Sequence, residues 1–171
     1  MDGSIKNSDF LQALEENKGI IYKVSRAYCQ HDEERKDLNQ EIIIQIWRSF
    51  DKYRNQYRIS TFIYRIALNV AISFYRKSLI RQKGRIPLTM DMVGFISDRQ
   101  PEDKSDEIFL LYRCIHELKE IDRALMLLYL EDKNYDEIAE ILDISRTNVA
   151  TKIGRIKSLI RDKFLIYKNE L

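Results

Sequence analysis

The chain has 171 residues, 44% of them apolar, with only 5 Gly and 2 Pro. That supplies enough apolar surface for one or two small cores and too few turn residues for an all-β fold, while abundant Leu, Ile, Lys, Arg and Glu favour helices. No apolar run approaches the roughly 18 residues of a membrane span. The start Met1-Asp2-Gly3-Ser4 lacks the basic-then-apolar pattern of a signal peptide, so a cytoplasmic protein is expected.

The net charge of +2 hides a segregation. Residues 1–51 carry 7 basic and 10 acidic side chains, and residues 52–86 carry 9 basic and no acidic ones. Residues 87–145 carry 6 basic and 15 acidic, and residues 146–171 carry 7 basic and 2 acidic. Solvated helix faces mix signs, whereas unmixed basic blocks suit phosphate neutralisation. Nucleic acid is therefore the expected partner. Cys29 and Cys114 are single and far apart, with neither metal-ligand spacing nor a disulfide framework.

In chain order, Phe10, Leu11, Leu14, Ile21, Val24 and Tyr28 follow the 3.6-residue helical period. Leu38, Ile42, Ile46 and Phe50 recur every fourth residue, with Trp47 beside them. Ser60 suits the N-cap of a third helix that carries Ile63, Ile66, Val70 and Phe74 on one face. Residues 83–105 hold both prolines, Gly84 and Gly94. They read as a linker, too long for a loop within one compact domain. Beyond it, Ile108, Leu111, Tyr112 and Ile115 make one stripe, and Ile121, Leu125, Leu128 and Tyr129 another. The expected fold is all-α: two small helical domains, 5–82 and 106–167, joined by a flexible linker.

Residues 135–149 read as a helix-turn-helix. Ile138 and Leu142 give a short amphipathic helix, and Ala139 is small where two helices cross. Asp143 sits in the turn, where Asp tolerates the left-handed conformation, and Ser145 caps the next helix. Val149, Ile153, Ile156 and Ile160 point inward on the helical wheel. Thr147, Asn148, Thr151, Gly154, Arg155 and Ser158 then point outward, as on a recognition helix. Arg155 suits guanine and Asn148 adenine, while Arg146 and Lys152 lie to the sides, where phosphates run.

The basic block interleaves charge with rings: Tyr53, Arg54, Tyr57, Arg58, Phe62, Tyr64, Arg65, Phe74, Tyr75 and Arg76. Cations attract phosphates and aromatic faces stack unpaired bases, which suits melted DNA. Phe74 and Phe62 read as core, while Tyr53, Tyr57 and Tyr64 read as stacking surfaces.

Three motifs in order, Asp37-Leu38-Asn39-Gln40-Glu41 before Trp47, Ser60 to Ala71, and Tyr135 to Ala139 followed by Ser145 to Arg155, resemble those of the extracytoplasmic-function branch of bacterial sigma factors. The resemblance covers residues 8–82 and 106–165. It implies a non-enzymatic factor, without cofactor, metal or small-molecule substrate, that binds core RNA polymerase and promoter DNA, both duplex and melted strand. An anti-sigma factor is a further partner the resemblance allows. Polymerase binding falls to Asp37, Gln40, Glu41 and Trp47. Minus-ten contacts fall to Tyr53, Arg54, Tyr57, Arg58, Tyr64, Asn69, Arg76 and Lys77. Minus-thirty-five contacts fall to Arg146, Thr147, Asn148, Thr151, Lys152 and Arg155. The acidic stretch 98–107 would thread a basic polymerase channel. Asp143, Arg146-Thr147-Asn148 and Ala150 depart from the family's commonest residues, which bears on promoter sequence rather than on fold.

Rival readings are weaker. A plain helix-turn-helix regulator leaves residues 37–41 and the basic aromatic block unexplained. A metal-dependent nuclease using Asp98, Glu102, Asp103, Asp106 and Glu107 would need those carboxylates on a rigid support. His31 and His116 have no nucleophile or metal-ligand motif nearby. An interaction scaffold without DNA would show no salt-dependent DNA affinity.

Overall fold

The computed structural model describes residues 2–53, 55–82 and 106–169. These residues form α1 (Asp2–Tyr28), α2 (Asp32–Phe50), α3 (Ile59–Gln82), α4 (Asp106–His116), α5 (Glu120–Leu130), α6 (Tyr135–Leu142) and α7 (Arg146–Asn169), with no strand among them. The molecule is all-helical and divides into two compact units after Arg81. The linker 83–105, with Asp98, Glu102 and Asp103, lies outside the described residues.

In the first unit α1 packs along α2. Phe10, Ile21, Val24 and Tyr28 of α1 and Leu38, Ile42 and Ile46 of α2 are buried. Leu11, expected with them, is 60% exposed. One residue is a 100° step around a helix, and Phe10 already fills that edge against Trp47 and Phe50, ring centroids 4.9 and 5.5 Å away. Arg35 of α2 turns back over the end of α1, donating to the carbonyls of Cys29 at 3.0 Å and Gln30 at 2.6 Å. Carbonyls at a helix end have no intrahelical partner, so this contact sets the corner between α1 and α2.

Helix α3 starts at Ile59, so Ser60 lies in its first turn rather than capping it. Its buried side is also broader than the expected row. Thr61, Phe62, Ile63, Tyr64, Ala67, Leu68, Ala71 and Ile72 are all buried, while Ile66, Val70 and Phe74 are half-buried. The segment is apolar around most of its circumference, so periodicity alone does not fix its rotation.

In the second unit α7 packs against α4, α5 and α6. Among the described side chains of α4, Leu110, Cys114 and Ile115 are buried, whereas Tyr112, expected in the buried row, is 48% exposed. On α5, Ala124, Leu125, Met126 and Leu128 are buried and Ile121 faces outward. Arg123 is almost fully buried, and its Nη2 donates to the carbonyls of His116 and Leu118. It repeats in α4–α5 the service Arg35 gives α1–α2. Far along α7, Lys163 and Tyr167 both bond Glu117, Arg113 lies 3.9 Å from the Tyr167 ring centroid, and Lys168 pairs with Glu107 at 2.9 Å. Glu107, a carboxylate of the nuclease reading, is thus engaged in a surface ion pair.

Candidate nucleic-acid and polymerase interfaces

The helix-turn-helix is built by backbone chemistry legible residue by residue. Asn134 caps α6, its side chain accepting from the amides of Asp136 and Glu137 at 3.0 and 2.9 Å, while Glu137 accepts from the Asn134 amide at 3.0 Å. Such a reciprocal box satisfies donors the helix start leaves over. The Asn-x-x-Glu spacing was present in the sequence as its signal. Asp143 ends α6 in the left-handed region, φ 55°, ψ 47°. The Ile144 amide then donates to Ala139 at 3.1 Å, and Ser145 Oγ accepts from the Asn148 amide at 3.1 Å. Two caps around one left-handed residue fix the angle between α6 and α7.

Val149, Ile153, Ile156 and Ile160 are buried, the first three at 1% exposure or less. Thr147, Asn148, Thr151, Gly154, Arg155 and Ser158 are exposed, and Lys152 is half-buried at the flank. Thr151 Oγ1 donates to the Thr147 carbonyl at 3.0 Å. A Cβ placed on Gly154 would meet nothing within 4 Å, so packing does not require this glycine. Arg146 pairs with Asp136 of α6 at 3.2 Å, and Arg155 with Asp122 of α5, Nη2 to Oδ2 3.2 Å. Sequence reading missed Asp122: no local pattern links residues 33 positions apart.

In the first unit Asp37, Gln40 and Glu41 are exposed on α2. Trp47 is 36% exposed, with its ring edge-on to Phe10. Glu41 and Gln45 line a shallow groove with Ile66, Asn69, Val70 and Ser73 of α3, which brings Asn69 beside a residue assigned to polymerase. Tyr53 and Tyr57 are half-buried, the Tyr53 hydroxyl donating to the Tyr57 carbonyl at 2.6 Å. The Tyr53 ring lies 5.0 Å from Phe62, and the Arg65 guanidinium lies 5.3 Å from the Tyr57 ring centroid. Arg58, Arg76 and Lys77 are exposed. Arg54 lies outside the described residues.

Two aromatic expectations are corrected. Tyr64 is 3% exposed, so as placed its ring is a core element rather than a stacking surface. Phe62 is buried at 6%, whereas Phe74 is only half-buried. The cause is the breadth of the buried side of α3, which takes Phe62, Ile63 and Tyr64 in succession.

Residues 13–79 match the Sigma-70 region 2 family and residues 108–160 the Sigma-70, region 4 family. The ECF RNA polymerase sigma-E factor of Haemophilus influenzae is 30% identical over 142 residues, covering 74% of this chain and 72% of that protein. RNA polymerase sigma factor SigV of Bacillus subtilis is 26% identical over 149 residues, 86% of each chain. Among solved structures, the sigma factor RpoE of Bartonella quintana, in complex with the anti-sigma factor NepR, superposes with a TM-score of 0.71 at 14% identity over 92% of this chain and 98% of that one. CnrH, in complex with the cytosolic domain of CnrY, gives 0.65 at 15% identity over 91% and 87%. With its two matched regions in order and a relative at that identity, the chain belongs to the extracytoplasmic-function family of RNA polymerase sigma factors, non-enzymatic proteins that bind core polymerase and direct it to promoters.

Proposed function

We propose a division of labour among named residues within that activity. The α7 face made by Asn148, Thr151 and Arg155 reads the minus-thirty-five element in the major groove, with Arg155 on a guanine and Asn148 on an adenine. Thr147, at the helix start, receives a phosphate, and Arg146 and Lys152 position the backbone. The observation that carries this reading is that these residues stand exposed above the buried row Val149, Ile153 and Ile156 on a helix fixed by caps at its entry. An open Gly154 lets the groove wall come close.

In the first unit, Asp37, Gln40 and Glu41 present a polar face to core polymerase, with Trp47 as an anchor at its edge. Tyr53 and Tyr57, with Arg54 and Arg58, hold the melted minus-ten strand; Asn69, Arg76 and Lys77 contact its backbone. Tyr64 supports them from the core. Domain limits of 5–82 and 106–167 follow this division, and the linker between them, acidic at 98–107, threads a polymerase channel. A cytoplasmic location fits, and among the described residues no helix is long and apolar enough to cross a membrane. The Bartonella sigma factor of similar fold is in complex with an anti-sigma factor; we extend a partner of that kind to this chain.

In vitro transcription with core polymerase on genomic DNA, with start sites mapped, tests the reading. Discrete starts that appear only with the protein support it. Glu41→Lys should then lower polymerase affinity without unfolding the protein. Unchanged affinity removes residues 37–41 from the interface.

A further inference from the structure

We infer that Asp122 of α5 is a positioning residue for promoter recognition: its carboxylate aims Arg155 at the base it reads. The inference rests on the reading of Arg155 given above. Arg155 Nη2 lies 3.2 Å from Oδ2 and 3.4 Å from Oδ1 of Asp122. The two side chains differ sharply in exposure, 65% for Arg155 and 12% for Asp122. The arginine stands in solvent on the outward row of α7, and the carboxylate is sunk at its base. Asp122 lies in the first turn of α5, followed by the buried Arg123, Ala124 and Leu125, so its backbone has little freedom. The start of a helix also favours a negative charge.

Three consequences follow from that geometry. A long, flexible side chain is held in one orientation before DNA arrives, as a reading contact requires for precision. The contact engages one of the three guanidinium nitrogens. Arginine has five N–H donors, so a donor pair is left for the O6 and N7 acceptors of a guanine. Finally, a carboxylate near the DNA surface repels phosphates of every sequence. Arg155 pairs with it before DNA arrives, so this repulsion acts on every sequence alike, and discrimination comes from the orientation the carboxylate imposes on Arg155. Specificity is a difference of affinities, and here the gain falls on the side of the correct base.

The test uses full-length protein assembled with core polymerase. The probe is a promoter recovered by start-site mapping, with single-base changes across its minus-thirty-five element, and binding is measured at several salt concentrations. Arg155→Ala first identifies the base position that loses discrimination. Asp122→Ala should lose roughly tenfold in discrimination at that same position, while affinity for all other variants rises about twofold through the lost negative charge. Asp122→Asn removes the charge but keeps the shape and an acceptor oxygen. It should show the same general rise while keeping most of the discrimination. A uniform rise with discrimination intact in Asp122→Ala overturns the inference, because the contact is then only a charge effect. A uniform fall in both variants, with a lowered melting temperature, overturns it in favour of a structural tie between α5 and α7. If Arg155→Ala itself leaves every base preference unchanged, the assignment of Arg155 fails and this inference with it. If Arg155→Ala loses discrimination and Asp122→Ala does not, this inference alone fails.

Discussion

Helices α3 and α7 are the same length, 24 residues, and each carries some of the residues proposed to face DNA, yet they expose themselves to sequence reading very differently. Helix α7 buries one row, Val149, Ile153, Ile156 and Ile160, with polar or small residues and the exposed Leu159 between. A single row fixes the rotation of a helix, so the outward face follows from the wheel. Helix α3 buries eight residues between Thr61 and Ile72, including three consecutive large ones, Phe62, Ile63 and Tyr64. When most of a helix is apolar, several rotations bury similar area, and which aromatic stays wet is decided by the neighbouring helices.

The strongest test of that contrast is a pair of tyrosines. Tyr64→Ala should destabilise the first unit by about 3 kcal/mol, as large-to-small changes of buried aromatics do. Tyr57→Ala should cost about 1 kcal/mol or less, since its ring is half-buried. Native-state hydrogen exchange in α3 measures both. Promoter opening, followed by permanganate reactivity, should fall in Tyr57→Ala combined with Arg58→Ala while the fold persists. A Tyr64→Ala protein as stable as the parent but defective in opening would return Tyr64 to the DNA surface.

A second comparison sets the two carbonyl-binding arginines against each other. Arg123 is 2% exposed, whereas the Arg35 side chain is 16% exposed. Arg123→Met should lower protection of α4 and α5 by about 2–3 kcal/mol, because the carbonyls of His116 and Leu118 lose a charged donor in a dry place. Arg35→Met should cost about 1 kcal/mol at the α1–α2 corner, where water reaches the carbonyls more easily. Equal losses would mean that burial does not set the difference.

Smaller again is Gly154→Ala. The open space around that position predicts a gain of up to about 1 kcal/mol from helix propensity. If the groove wall comes close there, the same change weakens minus-thirty-five binding. A more stable helix with unchanged binding would place the DNA farther from α7 than proposed.

The smallest effect is acid sensitivity at the far end of α7. Burial pushes the Glu117 carboxyl up, but hydrogen bonds from Lys163 and Tyr167, with the charges of Lys163 and Arg113, hold it below the usual carboxylate range. A carboxyl lowered in the folded state stabilises above its unfolded pKa, and that contribution is lost as pH falls through the folded value. Stability of the second unit should therefore decline below the ordinary glutamate value of 4.5, and Glu117→Gln should flatten that decline. An identical acid profile in the variant would assign the decline to other carboxylates.

By itself the sequence determined the all-helical class, the break between the two units and the outward face of α7. Each is a local matter: helix formers against turn residues, a long run without period, a single apolar row between caps. Asp143 in the left-handed turn and Ser145 at the helix start belong to the same class, since each acts on the backbone within a few residues of itself. Only tertiary structure decided that Tyr64 is core, that Leu11, Tyr112 and Ile121 face outward, and that Asp122 meets Arg155. Those outcomes depend on which faces neighbouring helices cover and on contacts between residues far apart in the chain, and neither leaves a period or a spacing to read.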